Sequence, residues 1–154
     1  GTFFRRRFHG ACKESENMYQ YRRTVQYYET DKMGIVHHSN YIRFLEEARC
    51  KMLEQFEMPY SSFESNGIMI PVLGVNCSFK HHVTFNDIIL IEPYVKQFNG
   101  VRLTMGYSIT NKKTGNIVLT GETKHCFTDT SLKPIRLQNH IPEFYEKFIK
   151  LQNN

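Results

Sequence analysis

The chain has 154 residues, of which 40% are hydrophobic and 23% are charged, and its formal net charge is +5. This length corresponds to one domain, and 12 Phe and 9 Tyr exclude an intrinsically disordered chain. No apolar run approaches the roughly 20 residues of a membrane span, and the first ten residues lack the apolar stretch of a signal peptide. The four cysteines form no CxxC pair. We therefore expect a soluble, cytoplasmic protein with reduced thiols and no bound metal.

Residues 1–17 differ from the rest of the chain because they show no sustained hydrophobic periodicity. We interpret them as a leader added in cloning, a wrongly assigned upstream start, or a flexible basic arm. Residues 18–154 then form a single domain. Residues 1–17 hold +2 of the net charge, and the thin spread of the remainder argues against a nucleic-acid surface.

The hydrophobic pattern predicts an α+β domain in which strands share one face with a single early helix. Apolar residues recur at helical spacing from Tyr41 to Phe56, with Ser39 or Asn40 as the candidate N-cap. Pro93 predicts an edge strand or a bulge in its segment. The predicted elements are a strand at 19–28, a loop at 30–39, the helix, strands at 69–80 and 88–97, a hairpin turn at Asn99-Gly100, a strand from Val101, a turn at 112–116, a strand at 117–128 and a short helix from Pro142.

The segment between the first strand and the helix holds the candidate functional residues. Asp31 follows the strand, Gly34 comes three positions later, and His38 stands where the helix begins. A helix N-terminus offers free N–H groups and a partial positive charge, which polarise a carbonyl and stabilise an oxyanion. A carboxylate nearby can attack that carbonyl or activate water, and glycine leaves room for a ligand. These parts suit acyl transfer, although an aspartate in such a loop is more often a turn or cap residue.

The sequence DKMGIVHHSNYIRFLEEAR, residues 31–49, resembles the signature of hotdog-fold acyl-CoA thioesterases of the 4-hydroxybenzoyl-CoA thioesterase type. That family has approximately Asp-x-x-Gly, two hydrophobic residues, an aromatic residue and His-x-Asn-Tyr, followed by Glu-x-Ala-Arg. The resemblance covers roughly residues 19–132. It implies a hotdog fold, in which an antiparallel sheet wraps around one long central helix. It also implies a homodimer or homotetramer with sites at the subunit interface, and a thioester substrate carried by coenzyme A or acyl carrier protein, without a further cofactor.

The resemblance also implies roles for individual residues. Asp31 is the expected nucleophile or general base, and the backbone N–H of His38 is expected to point at the thioester carbonyl. The His38 ring is expected to hold water or assist proton transfer, and Tyr27 matches a tyrosine near the site in some relatives. The residues expected to bind substrate are Gly34, His37 and Asn40, of which His37 departs from the Tyr or Phe that the family more often has.

Other residues and other functions stay open at this level. Glu46 and Arg49 are expected to form a structural or interface ion pair, although other hotdog lineages use a helix carboxylate such as Glu46 or Glu47 as the base. We interpret His81-His82 as a surface or interface pair. The alternative functions are an acyl-binding hotdog protein without turnover, a hotdog hydratase or dehydratase, and a nucleic-acid-binding arm.

Overall fold

A computed structural model describes residues 18–153, so the predicted leader at 1–17 lies outside the described residues. The strands are β1 (Tyr21–Thr24), β2 (Val72–Phe79), β3 (Ile88–Phe98), β4 (Arg102–Asn111) and β5 (Ile117–Cys126). The helices are α1 (His38–Gln55), α2 (Tyr60–Ser65) and α3 (Pro142–Gln152), and two single 3₁₀ turns cover Tyr27–Glu29 and Leu137–Asn139.

The five strands form one antiparallel sheet in the order β1-β3-β4-β5-β2. The helix α1 buries its apolar stripe, including Phe44, Leu45 and Met52, in a core that it shares with β3 and β4 residues such as Ile91 and Met105. The predicted α+β arrangement of one long helix against a sheet is therefore confirmed.

The edge strands β1 and β2 differ in the surface that they present. Whereas β1 has only four residues, β2 has eight, and it pairs with β5 on one side only. Along β2, the apolar side chains of Val72, Leu73, Val75 and Phe79 are all exposed. A long apolar edge of this kind is a surface that a further strand can cover.

The predicted hairpin is confirmed between β3 and β4. Gly100 adopts a φ of +91°, which glycine tolerates and other residues avoid. The Asn99 side chain accepts hydrogen bonds from the backbone N–H groups of Val101 and Arg102 at 3.0 and 2.8 Å. The C-terminal helix also begins at Pro142, as predicted.

The predicted first strand is longer than β1, and the short helix α2 was not predicted. β1 ends at Thr24, and the chain then turns because the Glu29 carboxylate accepts a hydrogen bond from the Gln26 N–H at 2.8 Å. The six residues of α2 follow Pro59 directly. Such a short helix carries too few apolar repeats for a period to be recognised.

Pro93 lies in β3, an internal strand of the sheet, but beyond the part of β3 that pairs with β1. β3 lies between β1 and β4, yet its pairing with β1 ends where Ile91 lies opposite Tyr21. The absent N–H of Pro93 therefore costs no bond to β1. The register shift in the β3–β4 pairing falls between Val95 and Gln97.

The Arg49 side chain lies on the buried face of α1 and is bound by tyrosines. Its Nε donates to the Tyr60 hydroxyl at 2.9 Å and its Nη1 donates to the Tyr107 hydroxyl at 3.0 Å. Among the ion pairs of residues 18–153, none joins Arg49 to Glu46. The predicted ion pair is therefore not formed within one chain.

His125 extends this buried polar chain through Thr123. The Thr123 hydroxyl lies 2.6 Å from the Tyr107 hydroxyl and 2.7 Å from Nε2 of His125. Burial and, to a smaller extent, the positive charge of Arg49 lower the pKa of His125 to about 4. The folded chain therefore keeps this imidazole neutral at pH values where an exposed histidine is charged.

This shift predicts a loss of stability in mild acid. Below pH 6.5 the unfolded chain binds a proton at His125, whereas the folded chain does so only near pH 4. The unfolding free energy is therefore highest above pH 6.5 and decreases as the pH falls from 6.5 to 4. We expect the wild type to lose about 3 kcal/mol more of its unfolding free energy between pH 7 and pH 4 than His125→Gln does. Urea unfolding across this range measures the difference. His140→Gln, at an exposed histidine, should leave the pH dependence as it is, and equal slopes in all three proteins would contradict the prediction.

Candidate functional site

Asp31 and His38 line one pocket at the start of α1, with a volume of about 330 Å³. The apolar part of its wall consists of Met33, Ile35, Val36, Tyr41 and Phe79. The polar part adds Lys80, His81 and His82, which follow β2. The sequence singled out Asp31 and His38, but not the segment after β2 that lines the pocket with them.

A tight turn holds the Asp31 carboxylate at the pocket. Its Oδ1 accepts a hydrogen bond from the Met33 N–H at 2.8 Å, while its backbone N–H donates to the Ile35 carbonyl at 2.9 Å. Gly34 closes the turn with a φ of +79°, and nothing lies within 4 Å of the position that a Cβ would take. Within residues 18–153 the second carboxylate oxygen, Oδ2, has no hydrogen-bond partner. One oxygen fixes the turn, and the other is available to a ligand.

The start of α1 leaves one backbone N–H available. The N-cap is His37 rather than Ser39 or Asn40, because Nδ1 of His37 accepts from the Ser39 N–H at 3.2 Å. The Asn40 N–H donates to the His37 carbonyl at 2.9 Å. The N–H of His38 has no acceptor in the part of the chain that the structure describes. This free amide stands at the positive end of an 18-residue helix, and its residue, His38, lines the same pocket as Asp31.

Asn40 fixes the approach to the helix and does not line the pocket. Its Nδ2 donates to the Glu29 carbonyl at 2.9 Å, and the His37 N–H donates to the same carbonyl at 3.0 Å. These two bonds tie the first turn of α1 to the 3₁₀ turn that precedes Asp31. The place of Asn40 therefore suits a residue that positions the start of α1.

A network of ion pairs supports the 3₁₀ turn before Asp31, and no pattern in the sequence predicted it. The buried Glu29 carboxylate accepts from Nη1 of Arg23 at 2.7 Å, and Nε of Arg23 lies 2.9 Å from the Glu47 carboxylate. The Arg23 guanidinium also lies 4.1 Å from the centre of the Phe44 ring. Burial opposes the charge of Arg23, but the hydrogen bond to Glu29 and the negative charges of Glu47 and Glu29 outweigh it and raise the pKa of Arg23. The network joins β1, the turn and α1.

Like Gly34 and Asn40, the predicted residues Tyr27 and His37 are absent from the pocket wall. Tyr27 is 75% exposed, and its ring packs edge-on against Phe85 at 5.7 Å. The His37 ring stacks on the His38 ring at 4.2 Å. Neither Tyr27 nor His37 contributes to the pocket wall within one chain, so a role for them at the site stays a prediction.

His81 and His82 are exposed, as the sequence suggested, but they face the candidate site. Nδ1 of His81 lies 2.8 Å from the Ile117 carbonyl, which fixes this ring. The β-bridge between Ile35 and Thr84 brings the two segments side by side. With Lys80 these residues form a basic rim, the name that we use below for Lys80, His81 and His82.

Within residues 18–153, no group of three or more His, Cys, Asp and Glu side chains is arranged to hold a metal ion. No helix in the same range combines the length and apolar character that crossing a membrane requires.

Comparison with known proteins gives consistent matches. The family model of the thioesterase-like superfamily matches residues 25–148. YneP of Bacillus subtilis is 30% identical over 127 residues, which are 82% of this chain and 91% of YneP. The long-chain acyl-CoA thioesterase FadM of Escherichia coli is 25% identical over 82% of this chain and 96% of its own. The crystal structure of a DHNA-CoA thioesterase from Staphylococcus aureus matches with a TM-score of 0.84 and 29% identity, covering 88% of this chain and 91% of that one.

Proposed function

The chain belongs to the thioesterase-like superfamily and is an acyl-CoA thioesterase of the hotdog fold, and we propose that Asp31 and the first turn of α1 carry out its reaction. The reaction converts an acyl-CoA and water into a free acid and the CoA thiol. The proposal rests above all on one observation: Asp31 and His38 line the same pocket, and each has a polar group without a partner among residues 18–153, Oδ2 of Asp31 and the backbone N–H of His38.

In the proposed reaction the thioester carbonyl oxygen accepts a hydrogen bond from the His38 N–H. Negative charge grows on that oxygen as the carbonyl carbon becomes tetrahedral, and the helix end stabilises it. As a general base, Asp31 takes a proton from the attacking water through Oδ2. The tetrahedral intermediate then expels the thiolate, breaking the C–S bond, and the proton passes from Asp31 to the sulfur. The His38 ring, at the same pocket, can hold the water.

As a nucleophile, Asp31 would instead attack the carbonyl carbon through its carboxylate, which breaks the C–S bond and releases the thiolate first, and the thiolate takes its proton from water. Water would then hydrolyse the resulting mixed anhydride. Rapid quenching and mass spectrometry of the protein separate the two routes. An adduct on Asp31 with the mass of the acyl group supports the nucleophile, and its absence during rapid turnover supports the general base.

Coenzyme A and acyl carrier protein present the same pantetheine thioester, and we propose acyl-CoA as the principal substrate. The reaction uses no metal and no cofactor besides the CoA portion of the substrate. Parallel assays with acyl-CoA and acyl carrier protein thioesters of one acyl group decide between the carriers. The binding-only alternative is not favoured, because the chain is a thioester hydrolase. A cytoplasmic location remains our prediction.

We further propose that two copies pair through β2. The exposed apolar residues along this edge support the pairing, because an uncovered row of them is unfavourable in water. Antiparallel pairing of two β2 strands would continue the sheet from one copy into the other. It would also bring a second copy next to Phe79 and the basic rim, at the pocket.

Val75→Lys tests this pairing. Val75 is 42% exposed on β2, and a lysine there places a charge in the proposed contact. By light scattering after gel filtration, we expect at least twice the chain mass of 18.3 kDa for the wild type and the single-chain mass for the variant. The rate of thiol release by the Val75→Lys variant should fall together with its mass. Leu132→Lys, in an exposed loop, should keep the wild-type mass, and a monomeric wild type would overturn the proposal.

A further inference from the structure

We propose that Phe79, packed on Tyr41, sets the upper length of the acyl group, so that the enzyme prefers short aliphatic or single-ring acyl-CoA. This inference rests on the proposed function and names the substrate class of the same pocket. The evidence is the division of the pocket into two ends, the packing of these two rings, and the surface that lies beyond them.

The pocket has a polar end and an apolar end. The basic rim is exposed, whereas Val36 and Tyr41 are each only 4% exposed and close the pocket from inside. Hydrocarbon groups favour the apolar end, because burial there removes them from water. A thioester bound at His38 therefore directs its acyl group toward Tyr41 and its polar CoA arm toward the basic rim and solvent.

The packed rings of Tyr41 and Phe79 bound the apolar end of the pocket. The Tyr41 and Phe79 rings lie 5.4 Å apart, and Tyr41 also packs edge-on against Phe44 at 5.8 Å. The cavity volume of about 330 Å³ is shared between the acyl group and the thioester. It is at the small end of the roughly 300–1,000 Å³ of ligand pockets. Within a single copy of the protein, this volume suits a short acyl chain or one ring.

Phe79 is the movable member of the ring pair, and apolar surface continues behind it. Tyr41 is buried in the core, but Phe79 is 55% exposed at the end of β2. Side chains alternate along a strand, so Cys77 and Val75 follow Phe79 on the same face. Their partners in β5 are Gly121 and Thr123, and the Cys77 sulfur lies 3.3 Å from the position that a Cβ of Gly121 would take. Removing the Phe79 ring would enlarge the pocket on the side toward Cys77.

The test compares chain-length profiles. We measure kcat/KM by thiol release for saturated acyl-CoAs from four to sixteen carbons and for benzoyl-CoA, with wild type, Phe79→Ala, Phe79→Leu and Tyr94→Ala. The wild type should prefer the short and single-ring substrates. Phe79→Ala should raise the ratio of twelve-carbon to four-carbon kcat/KM by about tenfold or more, since each added methylene in an apolar site is worth at least that factor. Phe79→Leu should fall between the two.

Tyr94→Ala is the matched control, because it removes an exposed ring from the opposite face of the sheet, where Tyr94 covers Gly106. It should leave the profile unchanged. Circular dichroism and light scattering show whether each variant keeps its fold and mass. If Phe79→Ala does not fold, Phe79→Leu is the variant that tests the inference. A wild type that prefers long chains, or a profile that neither Phe79 variant moves, would overturn the inference alone. A wild type with no hydrolysis of any acyl-CoA would overturn the proposed function with it.

Discussion

We expect Asp31→Asn to lower kcat for acyl-CoA hydrolysis by about 100- to 10,000-fold, the range that general acid–base catalysis supplies. The reason is that an amide neither accepts the proton of water nor attacks a thioester. The substrate should still bind, because the apolar wall and the His38 N–H are unchanged, so the loss should appear in kcat more than in KM. Thiol release with the best wild-type substrate measures it.

The turn should survive this substitution. Asparagine keeps an Oδ1 that can accept the hydrogen bond from the Met33 N–H, so the melting temperature should stay near that of the wild type. Asp129→Asn is a matched control, because Oδ1 of Asp129 accepts from the N–H groups of Ser131 and Lys133 in a turn that does not line the Asp31 pocket. It should be fully active. Undiminished turnover in Asp31→Asn would move the base to His38 or to the helix carboxylate Glu46.

The sequence could reveal the residues of the site that lie in one short segment. Asp31, Gly34 and His38 stand at fixed spacing because one turn and one helix start position them, and the resemblance to a known signature depends on that local order. The long helix and the Asn99-Gly100 hairpin were likewise predictable, because their periodicity and turn chemistry are local.

The rest of the pocket depends on contacts between distant segments. Phe79 and the basic rim reach the pocket because Ile35 pairs with Thr84, which no spacing in the sequence encodes. The same holds for Arg49, whose tyrosine partner Tyr107 is 58 positions away. The N-cap was misplaced for a different reason. A histidine ring nitrogen accepts the Ser39 N–H here, although serine and asparagine nearby are the usual caps.

The second large effect that we expect is on stability, at Glu29. Glu29→Ala should lower the free energy of unfolding by about 3 to 5 kcal/mol, because it leaves the partly buried Arg23 with Glu47 as its remaining partner. It also removes the acceptor of the Gln26 N–H. Glu29→Gln keeps an acceptor oxygen and should lose less. Urea unfolding at pH 7 measures both variants.

Glu54→Ala is the control for this measurement, since Glu54 pairs with Lys51 at 3.5 Å on the surface and such pairs contribute little. We expect its unfolding free energy to stay within about 0.5 kcal/mol of the wild type. A Glu29→Ala variant as stable as Glu54→Ala would show that Arg23 and Glu29 do not support the turn.

Activity separates support of the turn from chemistry. The Glu29 carbonyl holds the first turn of α1 through Asn40 and His37, so loosening the 3₁₀ turn should misplace both Asp31 and the free amide of His38. Glu29→Ala should therefore lower stability and kcat together, whereas Asp31→Asn should lower kcat alone. A folded Glu29→Ala enzyme with wild-type kcat would mean that the turn keeps its geometry without the ion pair, and that the backbone bonds to the Glu29 carbonyl suffice to position the site.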